Sequence, residues 1–360
     1  MDYPRWRLIV KIKASKIHEK FSMVALSFAM IMAAWGISGC GAINEWQIES
    51  QAAKSVDYSY LQDGHFHIFL CGTGTPVPAP DRAQSCVLIA VKGHIMVVDA
   101  GDGAISRIRE LNLPLSQISR VFITHFHSDH IADLGEIINN SWISGRNRPV
   151  EIYGPSGISQ LVEGFQQVYA FDAGYRHAHH GDDAKIENRA VNVHPFQFED
   201  AHEAVTIIKD GDLCVSTFLV DHAPAKPAVG YRFEYKGKIL VISGDTIMHS
   251  NVERYSKNAD ILIHSVMHKK LNLQIAKTLQ AMDSEILQRN GRMLEDTLEY
   301  HTDTSEVGKL AQRSGVKKLV LTHMVPPPRN FFIGSAFKRS VSEFYNGELI
   351  LGKDLLHLEL

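Results

Sequence analysis

Residues 124–130 read Thr-His-Phe-His-Ser-Asp-His, directly after the apolar stretch Val121-Phe122-Ile123 and directly before Ile131-Ala132-Asp133-Leu134. The apolar stretch predicts a short buried strand and the following residues the start of a helix. His125, His127, Asp129 and His130 therefore fall on a strand-to-helix turn. No other segment constrains the fold as much, because a strand ending in such a turn can send alternate side chains into one cleft. Imidazole and carboxylate suit zinc, manganese or iron. The density of ligand-capable residues is too high for a polar loop with incidental histidines.

Two metal ions need more ligands than this loop holds. The pattern of an apolar strand followed by a ligand recurs three times downstream. His222 closes the alternating run Cys214 to Val220, ahead of Pro224 and Pro227; Asp245 follows Ile239-Leu240-Val241-Ile242-Ser243-Gly244; and His323 follows Lys318-Leu319-Val320-Leu321-Thr322. Each stands just past the C-terminal end of a predicted strand, where clefts form in layered α/β folds.

Taken together, these segments resemble the metallo-β-lactamase superfamily of binuclear metal hydrolases, and within it the branch of ribonuclease Z and the zinc-dependent arylsulfatases. The resemblance runs from His65 to the C-terminus. It includes Cys71-Gly72-Thr73-Gly74-Thr75-Pro76, Val97-Val98-Asp99-Ala100-Gly101-Asp102-Gly103, Tyr153-Gly154-Pro155, Gly230-Tyr231-Arg232, Ser243-Gly244-Asp245-Thr246 and Leu321-Thr322-His323. It implies one ion held by His125, His127 and His222, a second by Asp129, His130 and His323, and Asp245 bridging both. A bridging carboxylate allows a tight pair of ions with a shared hydroxide, a nucleophile at neutral pH. Zinc is the commonest expectation for the two divalent ions. The resemblance also implies a catalytic part for Asp129 and for the non-ligand His301, in Tyr300-His301-Thr302-Asp303-Thr304, as a proton donor or a stabiliser of anionic oxygens, the alternative for His301 being a solvated loop histidine. Asp99 orients a ligand histidine by the same analogy, or else caps the following helix. His264 stands behind the ligands at most.

Strand-like runs at 67–70, 86–91, 94–99, 121–124, 150–153, 213–220, 229–235, 239–243, 261–264 and 319–322 form two groups. Helix-like runs at 103–111, 131–142, 158–169, 271–290, 305–314 and 335–345 are expected outside them. The fold class is α/β, a four-layer αββα sandwich. Tyr175 to Asp183 reads either as a substrate-covering loop, with Arg176 or His177–His180 touching an anion, or as a solvated insertion. Trp142, Phe165, Tyr169 and Tyr175 read as core or as pocket lining. Cys71, Cys86 and Cys214 are by default three small buried residues, with a Cys71–Cys86 disulfide possible in principle.

The N-terminus bears on location. Residues 1–20 carry six basic and two acidic side chains, and Phe21 to Ile37 is uncharged before Ile37-Ser38-Gly39-Cys40. A basic start, an apolar run and small residues describe a secretory signal. The last four residues resemble a bacterial lipobox with Cys40 lipidated; a membrane anchor is the alternative. Residues 1–39 are expected to be a signal segment, 40–63 a tether and 64–360 the hydrolase domain. The protein is then expected in the bacterial periplasm or cell envelope, attached to the membrane through a lipid or the signal anchor.

The whole chain carries −3, and without its basic start about −7. A net acidic domain has no global field for nucleic acid. The interval from His222 to Asp245 is filled by a hairpin, with no room for the inserted arm that ribonuclease Z commonly uses on transfer RNA. Together with the branch resemblance and the expected export, this implies a small anionic ester as substrate, a sulfate ester first and a phosphodiester second, with long nucleic acid excluded. A lactone or other carboxylic ester is the alternative on the same metal core, and a non-catalytic metal-binding lipoprotein is the other.

Overall fold

Cys86–Val91 and Ile261–Met267 are buried at every position, as strands covered on both faces must be. The computed structural model describes residues 48–50 and 56–360, so the expected signal segment and Cys40 lie outside the described residues. Asp57–Leu360 is one compact unit. Its first strands are β1 (His67–Gly72), β2 (Cys86–Val91), β3 (His94–Val98), β4 (Ile118–Phe122), β5 (Val150–Pro155) and β6 (Val191–Phe196). They are followed by β7 (Val205–Asp210), β8 (Leu213–Val220), β9 (Ala228–Tyr235), β10 (Lys238–Ile242), β11 (Ile261–Met267), β12 (Lys318–Val325), β13 (Glu348–Leu351) and β14 (His357–Glu359).

Among the described residues these strands form two seven-stranded sheets, ordered β14-β1-β2-β3-β4-β5-β6 and β13-β12-β11-β10-β9-β8-β7. In each, antiparallel hairpins give way to parallel pairing, from β3 to β6 in the first and from β10 to β13 in the second. Ile68, Val87, Ile89, Met96 and Phe122 of the first sheet share one core with Val215, Tyr231, Phe233, Leu240 and Ile263 of the second. Two further cores lie between each sheet and its helices. The architecture is thus the four-layer αββα sandwich.

The helices are α1 (Ser59–Gln62), α2 (Ala104–Glu110), α3 (Ser128–Ile131), α4 (Leu134–Ile143), α5 (Ile158–Val168), α6 (Ala170–His180), α7 (Ser250–Tyr255), α8 (Lys269–Gln280), α9 (Glu285–Asp296), α10 (Thr304–Ser314) and α11 (Phe331–Ser342). Leu61 of α1 is buried in the core, so the compact unit takes in residues 57–63, ahead of the boundary placed at 64.

Two expected helices differ from the pattern. Residues 271–290 are not one helix: Ser284 is extended at φ −158°, and α8 and α9 form an antiparallel hairpin. A continuous apolar stripe cannot distinguish one long helix from two that share a face. The two helices meet at Gly291, where a Cβ would lie 2.6 Å from the Ala276 carbonyl oxygen. Asn272 Nδ2 also donates to the Leu294 carbonyl at 2.8 Å. The Tyr175–Asp183 stretch continues α6 into a short 3-10 turn rather than forming a loop. Cys71 and Cys86 form a disulfide between β1 and β2, which corrects the default of three unpaired cysteines; Cys214 is free among the described residues.

Candidate metal centre

The ends of β3, β4, β8, β10 and β12 meet at one edge of the sandwich and deliver the site. After β4 the chain turns at His127, whose extended backbone (φ −63°, ψ 146°) begins α3 and brings Asp129 and His130 into its first turn. Tyr231 Oη donates to the Ile123 carbonyl at 2.7 Å and fixes the strand that feeds the turn. Gly244 permits the next approach: at φ +63°, a Cβ there would lie 2.7 Å from the Val229 carbonyl oxygen. His323 sits at a β-bulge. Thr322 pairs with Ser265 and Met324 with Val266, so His323 is the extra residue, at φ 45°. A bulge re-aims a side chain out of the ladder, here into the cluster.

The side chains converge in two groups. His127 Nδ1 lies 3.0 Å from His125 Nε2 and 3.3 Å from His222 Nε2. Nitrogens at 2.0–2.1 Å around a tetrahedral ion stand about 3.3 Å apart, so this spacing suits one. In the second group, Asp129 Oδ2 lies 2.9 Å from His323 Nε2 and 3.6 Å from His130 Nε2. Asp245 Oδ2 faces both groups, at 3.3 Å from His323 Nε2, 3.5 Å from His130 Nε2 and 3.9 Å from His222 Nε2. The structure therefore brings together all seven residues expected as ligands.

Partners behind the cluster set which ring nitrogens face inward. Asp99 Oδ2 lies 2.7 Å from His130 Nδ1, which holds a proton on that nitrogen and turns Nε2 toward the cluster. Among the described residues, buried His130 Nε2 has no hydrogen-bond partner, although it points among carboxylate oxygens. Asp99 also accepts from Thr124 N at 2.8 Å and Thr124 Oγ1 at 2.9 Å. Asp99 therefore orients His130, one of the residues expected as ligands, and does not act as a plain helix cap. Its backbone, at φ 60°, is held in the left-handed region. His222 Nδ1 lies 2.9 Å from the Tyr300 carbonyl oxygen and donates to it, so its Nε2 is the free nitrogen.

The charges also fit a cation. Asp99, Asp129 and Asp245 are all buried, and the ion-pair partners given them are imidazoles. Burial opposes a proton on His130, but Asp99, Asp245 and Asp129 together hold its pKa well above the ordinary value. Burial likewise disfavours ionised Asp245, but His323, His130 and His301 hold it well below the carboxylate range. Divalent ions can replace those protons as the balancing charge.

His301 stands at the same edge, its ring 5.2 Å from that of His222 and 5.6 Å from that of His323. Burial, against the opposing pull of Asp245, pushes its pKa down to about 3, so the imidazole is neutral. Its Nδ1 has no partner. The centre opens into a cavity of about 640 Å³. One wall is the Thr75–Pro78 loop and another is Leu279, Met293 and Leu294 of the α8–α9 hairpin, with Tyr300 beside His222.

The sequence pattern does not assign these walls, nor the carbonyl of Tyr300 that orients His222. A short Pro-rich loop and an ordinary amphipathic helix carry no local mark of lining a site. Arg176 and His177–His180 are not among the lining residues; His177 Nδ1 donates to the Ala184 carbonyl at 3.0 Å. Trp142 is core, packed with Ala173 and Ala184. Phe165 and Tyr169 crowd Gly135 and Tyr175 is solvent-exposed, so none of these aromatics lines the cavity. His264 is buried in β11 beside the site without contacting its ligands.

Comparison with known proteins gives this geometry a context. A family model described as Anti-Pycsar protein Apyc1 matches residues 66–323. The chain is 31% identical over 300 residues to a ribonuclease Z of Mycobacterium bovis (strain BCG / Pasteur 1173P2), covering 81% of this chain and 98% of that one. In fold it is similar to the metallo-β-lactamase fold protein YhfI from Bacillus subtilis, with a TM-score of 0.58 at 19% identity over 82% of this chain and 100% of that chain. It is also similar to the short form of human tRNase Z, with a TM-score of 0.57 at 21% identity over 81% and 98%.

These relatives correct one expectation. Long nucleic acid was excluded on the net negative charge and the missing arm, yet the mycobacterial relative is named a ribonuclease. A net charge averages over the whole surface and says little about one cleft, and an absent arm removes one way of gripping RNA rather than all of them. Matched by that family model over most of its length, and aligned along nearly the whole of a ribonuclease Z, the chain belongs to the Anti-Pycsar protein Apyc1 family of metallo-β-lactamase-fold, ribonuclease Z-like hydrolases.

Proposed function

We propose that this protein hydrolyses phosphodiester bonds of nucleotide substrates with two divalent ions, zinc first among them. One ion would be held by His125, His127 and His222, the other by Asp129, His130 and His323, with Asp245 shared. The observation that carries this reading is the single oxygen of Asp245 facing both groups of ligand atoms. Bound ions would supply an activated water and neutralise the charge that develops on phosphorus oxygens. The 31% identical ribonuclease Z carries a phosphodiester-cleaving name, which moves a phosphodiester ahead of the sulfate ester.

The chain's own residues divide the remaining work. Asp99 and the Tyr300 carbonyl hold His130 and His222 in the ligating tautomer. Neutral His301 donates an N–H to an anionic oxygen of the substrate or leaving group, and is not a proton reservoir at neutral pH. Asp129 orients the attacking water while serving as a ligand. The apolar walls at Val77, Leu279, Met293 and Leu294 shield the reacting group from bulk water.

A carboxylic-ester or lactone hydrolase is the second reading, favoured by the Tyr300 ring beside His222 in the cavity. Initial rates of the full chain on bis-p-nitrophenyl phosphate, p-nitrophenyl sulfate and an aryl-substituted lactone, with and without chelator, separate the readings. Fastest chelator-sensitive turnover of the phosphodiester is the expected result. Fastest turnover of the sulfate or the lactone would replace it. Export with lipidation of Cys40 is part of the same proposal, supported by the basic start and the uncharged run to Ile37-Ser38-Gly39-Cys40. Labelled fatty acid incorporated by the wild type and not by Cys40→Ala is the expected result; equal incorporation, or none, would contradict it.

A further inference from the structure

Phe331 and Phe332 are 81% and 80% exposed, the two most exposed large hydrophobic side chains among the described residues. They occupy the first turn of α11, held there by Asn330, whose Oδ1 accepts from Ile333 N at 3.0 Å. The rings stand 6.0 Å apart at 75°. Two rigidly placed phenylalanines open to water are unfavourable unless something covers them.

Their position says what. They follow the β12 ligand His323 by a short Pro-rich link, and exposed Arg329 donates from Nη2 to the carbonyl of Pro78, a residue that lines the cavity. The pair is thereby tied to the cavity rim. Met293 of α9 is also exposed and lines the cavity. A cavity of about 640 Å³ is the size of a drug-like ligand, roughly one or two nucleotides, so a longer strand must extend past its rim, of which the Pro78–Arg329 link is one part.

Resting on the phosphodiesterase reading, we propose that Phe331 and Phe332 are a stacking platform for unpaired nucleobases flanking the scissile phosphodiester. Aromatic faces bind single-stranded nucleic acid in this way, every base having a π-face, and Arg329 adds a positive charge beside them for the backbone. Binding is sequence-tolerant and requires unpaired bases.

The test compares the full-length wild type with Phe331→Ala/Phe332→Ala. Anisotropy of labelled single-stranded oligoadenylate and oligouridylate measures binding, and kcat/KM on bis-p-nitrophenyl phosphate, too small to reach the rim, measures the centre. The double variant should bind both oligonucleotides at least about fivefold more weakly, from the lower end of base–aromatic stacking strengths. Its rate on the small diester should stay within about twofold of wild type. A Phe332→Trp variant should retain binding and show indole quenching as the oligonucleotide is added.

Equal oligonucleotide affinity of the wild type and the double variant would overturn the platform. So would an unchanged affinity accompanied by loss of a dimer in sedimentation or loss of binding to anionic phospholipid vesicles, which would assign the pair to a second copy or to a lipid surface. If the wild type cleaves neither diester nor RNA, the hydrolase reading fails, and anisotropy still decides the platform by itself.

Discussion

Asp99→Asn tests the orientation of the metal ligands without removing bulk. The carboxylate of Asp99 accepts three contacts, from Thr124 N, Thr124 Oγ1 and His130 Nδ1. Asn can accept on one side only. If its oxygen keeps Thr124 N, its amide nitrogen faces His130 Nδ1 and donates, which forces the imidazole proton onto Nε2, the nitrogen that must be bare to bind metal. If the amide flips, Thr124 N is left buried and unpaired, at a cost of about 1–3 kcal/mol. Both routes penalise the second group of ligands, where His130 works with Asp129 and His323. Loss of such an orienting partner lowers metal affinity about 10- to 100-fold. Competition against a fluorescent zinc chelator should show one weakened site in Asp99→Asn, with the His125–His127–His222 site near its wild-type affinity. Wild-type affinity at both sites would refute the tautomer assignment.

Other perturbations reach separate parts of the account. His301→Ala should lower kcat by about 100- to 1000-fold, as loss of an oxyanion donor does, while bound metal measured by mass spectrometry is unchanged; metal loss would make His301 a ligand. Asp354 accepts from Thr73 N, Thr73 Oγ1, Ala83 N and Arg107 Nε and so anchors the loop that walls the cavity. Asp354→Ala should cost about 3 kcal/mol in urea unfolding and raise KM, and an unchanged KM would detach that loop from substrate binding. Gly244→Ala places a Cβ against the Val229 carbonyl at positive φ, and should lose at least about 1–2 kcal/mol together with most activity. Burial opposes ionisation of Asp260, yet Lys317 and the Ile239 N–H hold its pKa below the ordinary value. Its depressed pKa stabilises the fold above the unfolded carboxyl pKa and ceases to do so as pH falls through the folded one. The stability gap between wild type and Asp260→Asn should therefore shrink between pH 7 and pH 3 in urea titrations; a constant gap would deny the linkage.

The residues that converge at the candidate metal centre were legible in the sequence because they are uncommon types at strand ends. His125, His127, Asp129 and His130 mark themselves by density, and His222, Asp245 and His323 by following apolar strands. The four-layer sandwich was legible because the central strands are apolar throughout. Edge strands were not. β6 exposes Asn192, His194 and Pro195, β7 exposes Thr206 and Lys209, and β13 is half-buried along most of its length, so their periodicity is faint. The Tyr300 carbonyl was invisible because a backbone oxygen has no residue identity. The cavity walls depend on how α8 and α9 fold back on each other, which turns on Ser284 and the close approach at Gly291 rather than on the apolar stripe. The exclusion of long nucleic acid failed because it rested on net charge, a property of the whole surface and not of the cleft, and on one missing arm.

The central claim is that one shared carboxylate organises two ions for phosphodiester hydrolysis. Its most direct test is a titration of metal-stripped full-length protein with zinc, followed by the initial rate on bis-p-nitrophenyl phosphate. The rate should be near zero without metal and should plateau at two equivalents, while Asp245→Ala binds less metal and stays inactive. Turnover by the stripped protein, a plateau at one equivalent, or full activity in Asp245→Ala would contradict it.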